Sequence, residues 1–162
     1  MKITSLLTLL GVAVGSCAMP VLALAADEIN ISSGLSASGA PLALHGYDPV
    51  AYFTGGAPAI GEDTVNSIHN GVTYRFSSQE HKRMFDKNPA RYVPQYGGFC
   101  AYGVSVGKKY DGDPRIWTVR NDRLYLNLNS DIAALFNKDV PAAVSKADQL
   151  WTKIEHKAVS DL

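Results

Sequence analysis

Asn70-Gly71-Val72-Thr73-Tyr74-Arg75-Phe76-Ser77-Ser78-Gln79-Glu80-His81 is the stretch that decides how this chain folds. Asn-Gly is the strongest short hairpin signal, because both residues accept the positive φ of a tight turn. Val72, Tyr74 and Phe76 then alternate onto one face, as a half-buried strand requires. Asp63 to His69 supplies the other arm of the hairpin. After Phe76 the period changes from strand to helix. Ser77 followed by Glu80 reads as a capping box, and the helix behind it should run to about Lys87. His81, Met84, Phe85 and Asn88 form its inner stripe, while Lys82, Arg83, Asp86 and Lys87 face solvent. Pro89 closes that helix or begins a short turn through Tyr92.

The same grammar repeats downstream. Arg115 to Val119 and Leu124 to Leu128 alternate around a tight turn at Asn121-Asp122. Leu124, Leu126 and Leu128 face one way; Tyr125, Asn127 and Asn129 face the other. Asn129 or Ser130 caps a helix through Phe136. Asp139-Val140-Pro141 opens the last one, with proline near its first position. Its apolar stripe is Val144, Ala147, Leu150, Trp151 and Ile154. Two antiparallel hairpins packed with about three helices, segregated along the chain, give an α+β fold and not a doubly wound sheet. Upstream, residues 42–53 are dense in apolar and aromatic side chains, and Thr54 to Gly61 is a Gly/Pro loop. Residues 26–41 read as a flexible arm with at most one short strand near Ile29 to Ile31. The expected domain is residues 42–156, with a fraying tail over 157–162.

Residues 1–25 read as a signal peptide. Lys2 supplies the charge, Leu6 to Val14 the apolar run, and Ala23-Leu24-Ala25 a small-x-small cleavage site. The protein is then periplasmic or secreted. Val14-Gly15-Ser16-Cys17 resembles a lipoprotein box, which makes a lipid anchor at Cys17 the minority alternative. Cleavage removes Lys2, one of 15 basic residues, and leaves 14 against 15 acidic ones, a net charge of −1. That balance argues against nucleic acid as a partner. No later run approaches the ~20 apolar residues of a membrane span, so no transmembrane segment is expected in the mature chain.

Cleavage also leaves Cys100 as the only cysteine, so no internal disulfide can form. It sits in Gln95-Tyr96-Gly97-Gly98-Phe99-Cys100-Ala101-Tyr102, where Gly97-Gly98 relaxes the backbone and aromatics surround the thiol. A buried small hydrophobe is one reading of it; a ligand or reactive group that a partner reaches past the glycines is the other. No nucleophile elbow, phosphate loop, Cys-x-x-Cys or His-Glu-x-x-His is present, which weighs toward a binding protein over an enzyme. The remaining soft or borderline donors are Cys100, His45, His81, His69 and Met84, a set suited to copper or zinc. His45 reads equally as a core histidine and His81 as a packing residue. His69 is expected to be exposed without a role, and His156 to complement a helix end. Asp48 and Asp113 each precede proline and build turns. Asp111-x-Asp113 is too thin for calcium.

His45-Gly46-Tyr47-Asp48-Pro49-Val50-Ala51-Tyr52-Phe53, Tyr74-Arg75-Phe76-Ser77-Ser78, Phe85, Asn88-Pro89 and Tyr92 resemble a YHS domain. The continuation through Tyr96-Gly97-Gly98-Phe99-Cys100-Ala101, Asp113-Pro114, Trp117 and Leu124-Tyr125-Leu126-Asn127 resembles the exported single-domain YHS proteins of bacteria. The resemblance implies a compact α+β domain related to TRASH-type metal-binding domains, and it implies metal handling, copper foremost. Metal-binding relatives carry cysteine after the Asp-Pro-Val, where this chain has Ala51. They also carry cysteines in the strand-to-helix segment, where it has Ser77 and His81. A metal site here is therefore expected to be rebuilt from Cys100, His45 and His81, with Tyr47, Asp48, Gly97, Gly98 and Tyr102 around it. Two alternatives stay open: thiol redox chemistry at Cys100 with an external partner, and a non-catalytic domain that docks an exported protein.

Overall fold

The computed structural model describes residues 28–162; the expected signal peptide over 1–25 and Cys17 lie outside them. The chain is mixed α/β, with two sheets and six helices among the described residues. The strands are β1 (Ile31–Leu35), β2 (Pro41–Ala43), β3 (Glu62–His69), β4 (Val72–Phe76), β5 (Asp113–Arg120) and β6 (Arg123–Asn127). The helices are α1 (Ala51–Thr54), α2 (Gln79–Lys87), α3 (Pro89–Tyr92), α4 (Ala101–Ser105), α5 (Ser130–Lys138) and α6 (Val140–Ile154). Three of the six are single turns that no periodicity would reveal, hence the lower helix number read from sequence.

Both hairpins form where the turn residues place them. Asn70 and Gly71 have φ of 50° and 77°, and Asn121 and Asp122 have 51° and 59°. Two successive positive φ values are the primed turn that matches strand twist. The first hairpin, β3–β4, extends into a four-stranded sheet of order β1-β2-β4-β3. The β2–β4 pair is parallel through Leu42 and Thr73, so the sheet is mixed. The strand of the N-terminal arm forms at Ile31–Leu35, starting two residues later than expected, and pairs with β2. Helix α2 starts one residue later than the capping box suggested. Ser78, not Ser77, accepts from the His81 N–H, because the Ser77 hydroxyl donates to Asp48 instead.

Strand β6 organises the interior. Leu124 and Leu126 pack into a core with Val72, Tyr74, Phe76 and Phe85. Tyr125 points the other way, into a second core with Phe99, Val104, Phe136 and Ala147. Leu124 through Asn127 are all buried, so both faces of the strand are covered. Leu128 falls beyond the strand and is partly exposed. Tyr52 fastens α1 to β5: its ring meets Trp117 edge-on at 5.6 Å, and its hydroxyl donates to the Pro114 carbonyl at 2.8 Å. Asn129 and Asp139 cap α5 and α6, accepting from Ile132 and Ala142 N–H. The C-terminal tail turns over Val159–Asp161, and Leu162 packs against the second core where fraying was expected. No helix among the described residues is long and apolar enough to cross a membrane.

Candidate functional site

Two runs of left-handed backbone meet through Asn30 and Asp111 beside a polar cleft. Leu44, His45 and Gly46 have φ of 52°, 50° and 82°. Leucine and histidine enter that region only when the surroundings hold them there. Here Leu44 is buried in the larger core, the Tyr47 N–H donates to the Leu44 carbonyl, and the Gly61 N–H donates to the Gly46 carbonyl, both at 2.9 Å. The imidazole of His45 is left in solvent, with Nε2 2.9 Å from Asp111 Oδ1. The second run is Tyr96, Gly97 and Gly98, with φ of 55°, 61° and 86°. Asn30 ties the two runs together. Its N–H donates to the Gly97 carbonyl at 2.9 Å. Its side-chain amide donates to the Gly98 carbonyl at 3.2 Å and to Asp111 Oδ1 at 2.6 Å.

His45, Tyr47, Asp111, Asp113, Arg115 and Leu128 line a cavity of about 280 Å³ at this place. Arg115 pairs with Asp113 at 2.7 Å, and its hydrogen bonds hold the Asp113 carboxyl below the usual carboxylate range. Asp111 therefore faces His45 while Asp113 is neutralised. An imidazole nitrogen beside a carboxylate oxygen is a donor pair suited to zinc or copper(II). The Asn30 amide on Asp111 supplies the outer hydrogen bond that orients a ligating carboxylate. Among the described residues no three His, Cys, Asp or Glu side chains converge on a point that could hold an ion.

Cys100 occupies a different setting. It has no exposed surface. Its sulfur accepts from the Gly103 N–H at 3.3 Å as the N-cap of α4, and its thiol donates to Asn127 Oδ1 at 3.8 Å. Burial pushes the thiol pKa up, opposed by N–H donation from Gly103, Leu128 and Tyr102. A protonated, enclosed sulfur that caps a short helix fits poorly as a metal anchor, since metals take the thiolate. Nor do the glycines open a path to it. A Cβ on Gly97 would run into the Glu28 carbonyl, so glycine is there because the N-terminal segment crosses it. Gly98 presents its carbonyl to Asn30, and a Cβ on Gly112 would strike that same carbonyl.

His81 is in a third setting. Its Nδ1 lies 2.6 Å from Asp48 Oδ2, and its Nε2 lies 3.1 Å from Thr54 Oγ1. Asp48 is wholly buried and also accepts from Val50 N–H, Ser77 N–H and the Ser77 hydroxyl. The three expected ligands are thus not brought together by their contacts. Tyr47 lines the cleft, while Tyr102 packs on the second core and donates its N–H to Asn127 at 3.2 Å. His69 is not free on the surface; its ring meets Phe85 edge-on at 5.9 Å. Met84 packs against the larger core, and His156 Nδ1 pairs with Glu28 Oε1 at 2.7 Å. Asn30 and Thr54 were not singled out from sequence, and Asp111 was considered there only as part of a calcium loop and set aside. Asp111 lies 66 residues from His45, and no local pattern connects them. Comparison with protein-family models, with curated proteins and with solved structures finds no match.

Proposed function

We propose that this chain is an exported binding protein of the YHS type that takes a divalent transition metal, copper or zinc, at the His45–Asp111 edge of the cleft, with Cys100 serving the fold. The observation that carries this reading is the pairing of His45 Nε2 and Asp111 Oδ1 at 2.9 Å in a cleft open to solvent. His45 stands there on backbone that costs free energy to hold. Two protein donors leave the remaining positions to water, so binding is reversible, as carriage requires. The export assignment rests on the sequence of residues 1–25. A redox role for Cys100 draws little support from a thiol that is buried and raised in pKa. Docking of an exported protein is the second reading, favoured by Leu128 and Tyr110, which are 39% and 48% exposed.

Thermal unfolding with zinc or copper(II) separates these readings. A metal at 100 times its Kd adds about 2.7 kcal/mol, which moves Tm by roughly 8 °C in a domain of this size. Wild type and Cys100→Ser are expected to shift equally, and His45→Gln and Asp111→Asn to lose the shift. A shift that survives His45→Gln but vanishes in Cys100→Ser returns the site to the sulfur. No shift in any of the proteins removes metal binding and leaves the docking reading.

A further inference from the structure

Asp48, His81 and Thr54 stand in the order orienting acid, base, nucleophile. The Asp48 carboxylate is enclosed, and three N–H or O–H donors other than His81 fix it: Val50 N–H on Oδ1 at 2.8 Å, and Ser77 N–H and hydroxyl on Oδ2 at 2.8 and 2.7 Å. A carboxylate only accepts, so the 2.6 Å contact with Oδ2 places a proton on His81 Nδ1. In the neutral ring that makes Nε2 the acceptor, aimed at Thr54 Oγ1 at 3.1 Å. Nucleophile and base within hydrogen-bond reach, with a third group orienting the base, is the arrangement that activates a hydroxyl. Thr54 ends α1 and is exposed, and the next two residues, Gly55 and Gly56, present no side chain to block approach. The Thr54 hydroxyl also donates to the Val50 carbonyl at 3.2 Å, so its single proton turns from that carbonyl to Nε2 before it is transferred.

We propose that Thr54 is a nucleophile for small acyl groups, with His81 as its general base and Asp48 as the positioning residue. Oγ1 attacks the carbonyl carbon of an ester as its proton passes to His81 Nε2. The bond from that carbon to the departing oxygen breaks, and the proton leaves with the alcohol. Water then attacks the acyl carbon as His81 Nε2 takes its proton, the carbon–Oγ1 bond breaks, the carboxylic acid departs and the proton passes from Nε2 to Oγ1. The base contributes about 10²–10⁴ in rate, and the open approach admits small acyl groups without further selection. This site shares no residue with the His45 cleft.

The test mixes full-length mature protein with p-nitrophenyl acetate and reads both nitrophenolate release and the position of acetyl groups by mass spectrometry. Wild type and Thr54→Ser are expected to give a burst of about one equivalent and an acetyl on residue 54. Thr54→Val, which keeps shape at an exposed position, loses both. A Thr54→Val protein that releases nitrophenolate as fast as wild type overturns the proposal, and so does acetylation confined to lysines in the wild-type digest. The second result needs no variant, so it stands whatever a substitution does to folding.

Discussion

A sulfur with no exposed surface and three backbone N–H groups directed at it acts as a helix cap. That role leaves a signature in alkali. The Cys100 pKa is raised above the ordinary 9.0 by burial. The unfolded chain therefore loses this proton near pH 9 while the folded chain still holds it. Stability from this group is complete below about 9 and is lost as pH rises through the folded value. Between pH 8 and 10 the urea midpoint of wild type should fall more steeply than that of Cys100→Ser, whose serine is itself a good cap. Equal slopes would show that the thiol is not shifted. His45 and Asp48 make the complementary point. Sequence marked both residues, yet it could not pair them. The partner of His45 lies 66 residues away and that of Asp48 lies 33 residues away.

Helix α6 shows what a single buried cation does for an element. Lys109 is 3% exposed, and its ammonium donates to the carbonyls of Glu155 and Lys157 at 2.8 and 2.7 Å. It also sits 5.4 Å from the ring centres of both Phe99 and Trp151. Positive charge at a helix C-terminus meets the negative end of the dipole, and hydrogen bonds from a charged donor contribute about 1.5–3 kcal/mol each. Lys109→Met keeps the stem and removes the charge. It should cost about 2–4 kcal/mol, and hydrogen exchange should show the last turn of α6 opening first. Unchanged stability would mean that the carbonyls find other partners. Elements of this kind divide cleanly by legibility. The hairpins were readable because Asn70-Gly71 and Asn121-Asp122 carry their own turn chemistry. The start of α2 was misread by one residue because Asp48, far off in sequence, claims the Ser77 hydroxyl. The stripe of α6 was visible, but its cap at Lys109 was not, since that contact spans 46 residues.

Over the whole molecule, β6 is a wall shared by two cores. Leu124 and Leu126 cannot leave one side without dragging Tyr125 from the other, so the two halves should unfold as one. Trp117 packs against the larger core and Trp151 against the smaller. They are the only tryptophans in the chain. Fluorescence of Trp151→Phe and Trp117→Phe therefore reports each core separately, and the two urea transitions should coincide once each is scaled to its own variant's stability by circular dichroism. A gap between probes within one variant would split the fold into independent units.

Glu28 Oε1 on His156 Nδ1, with Glu28 and Ile29 laid across Gly97, joins the beginning of the described chain to its end. Synthesis runs from the N-terminus, so these opening residues emerge long before the groups that receive them. A nascent chain that stops before α6 can lay Glu28 and Ile29 across Gly97 but has no His156 to pair with the Glu28 carboxylate. During biogenesis the clasp between the two ends is therefore the last to close, after the final helix is made.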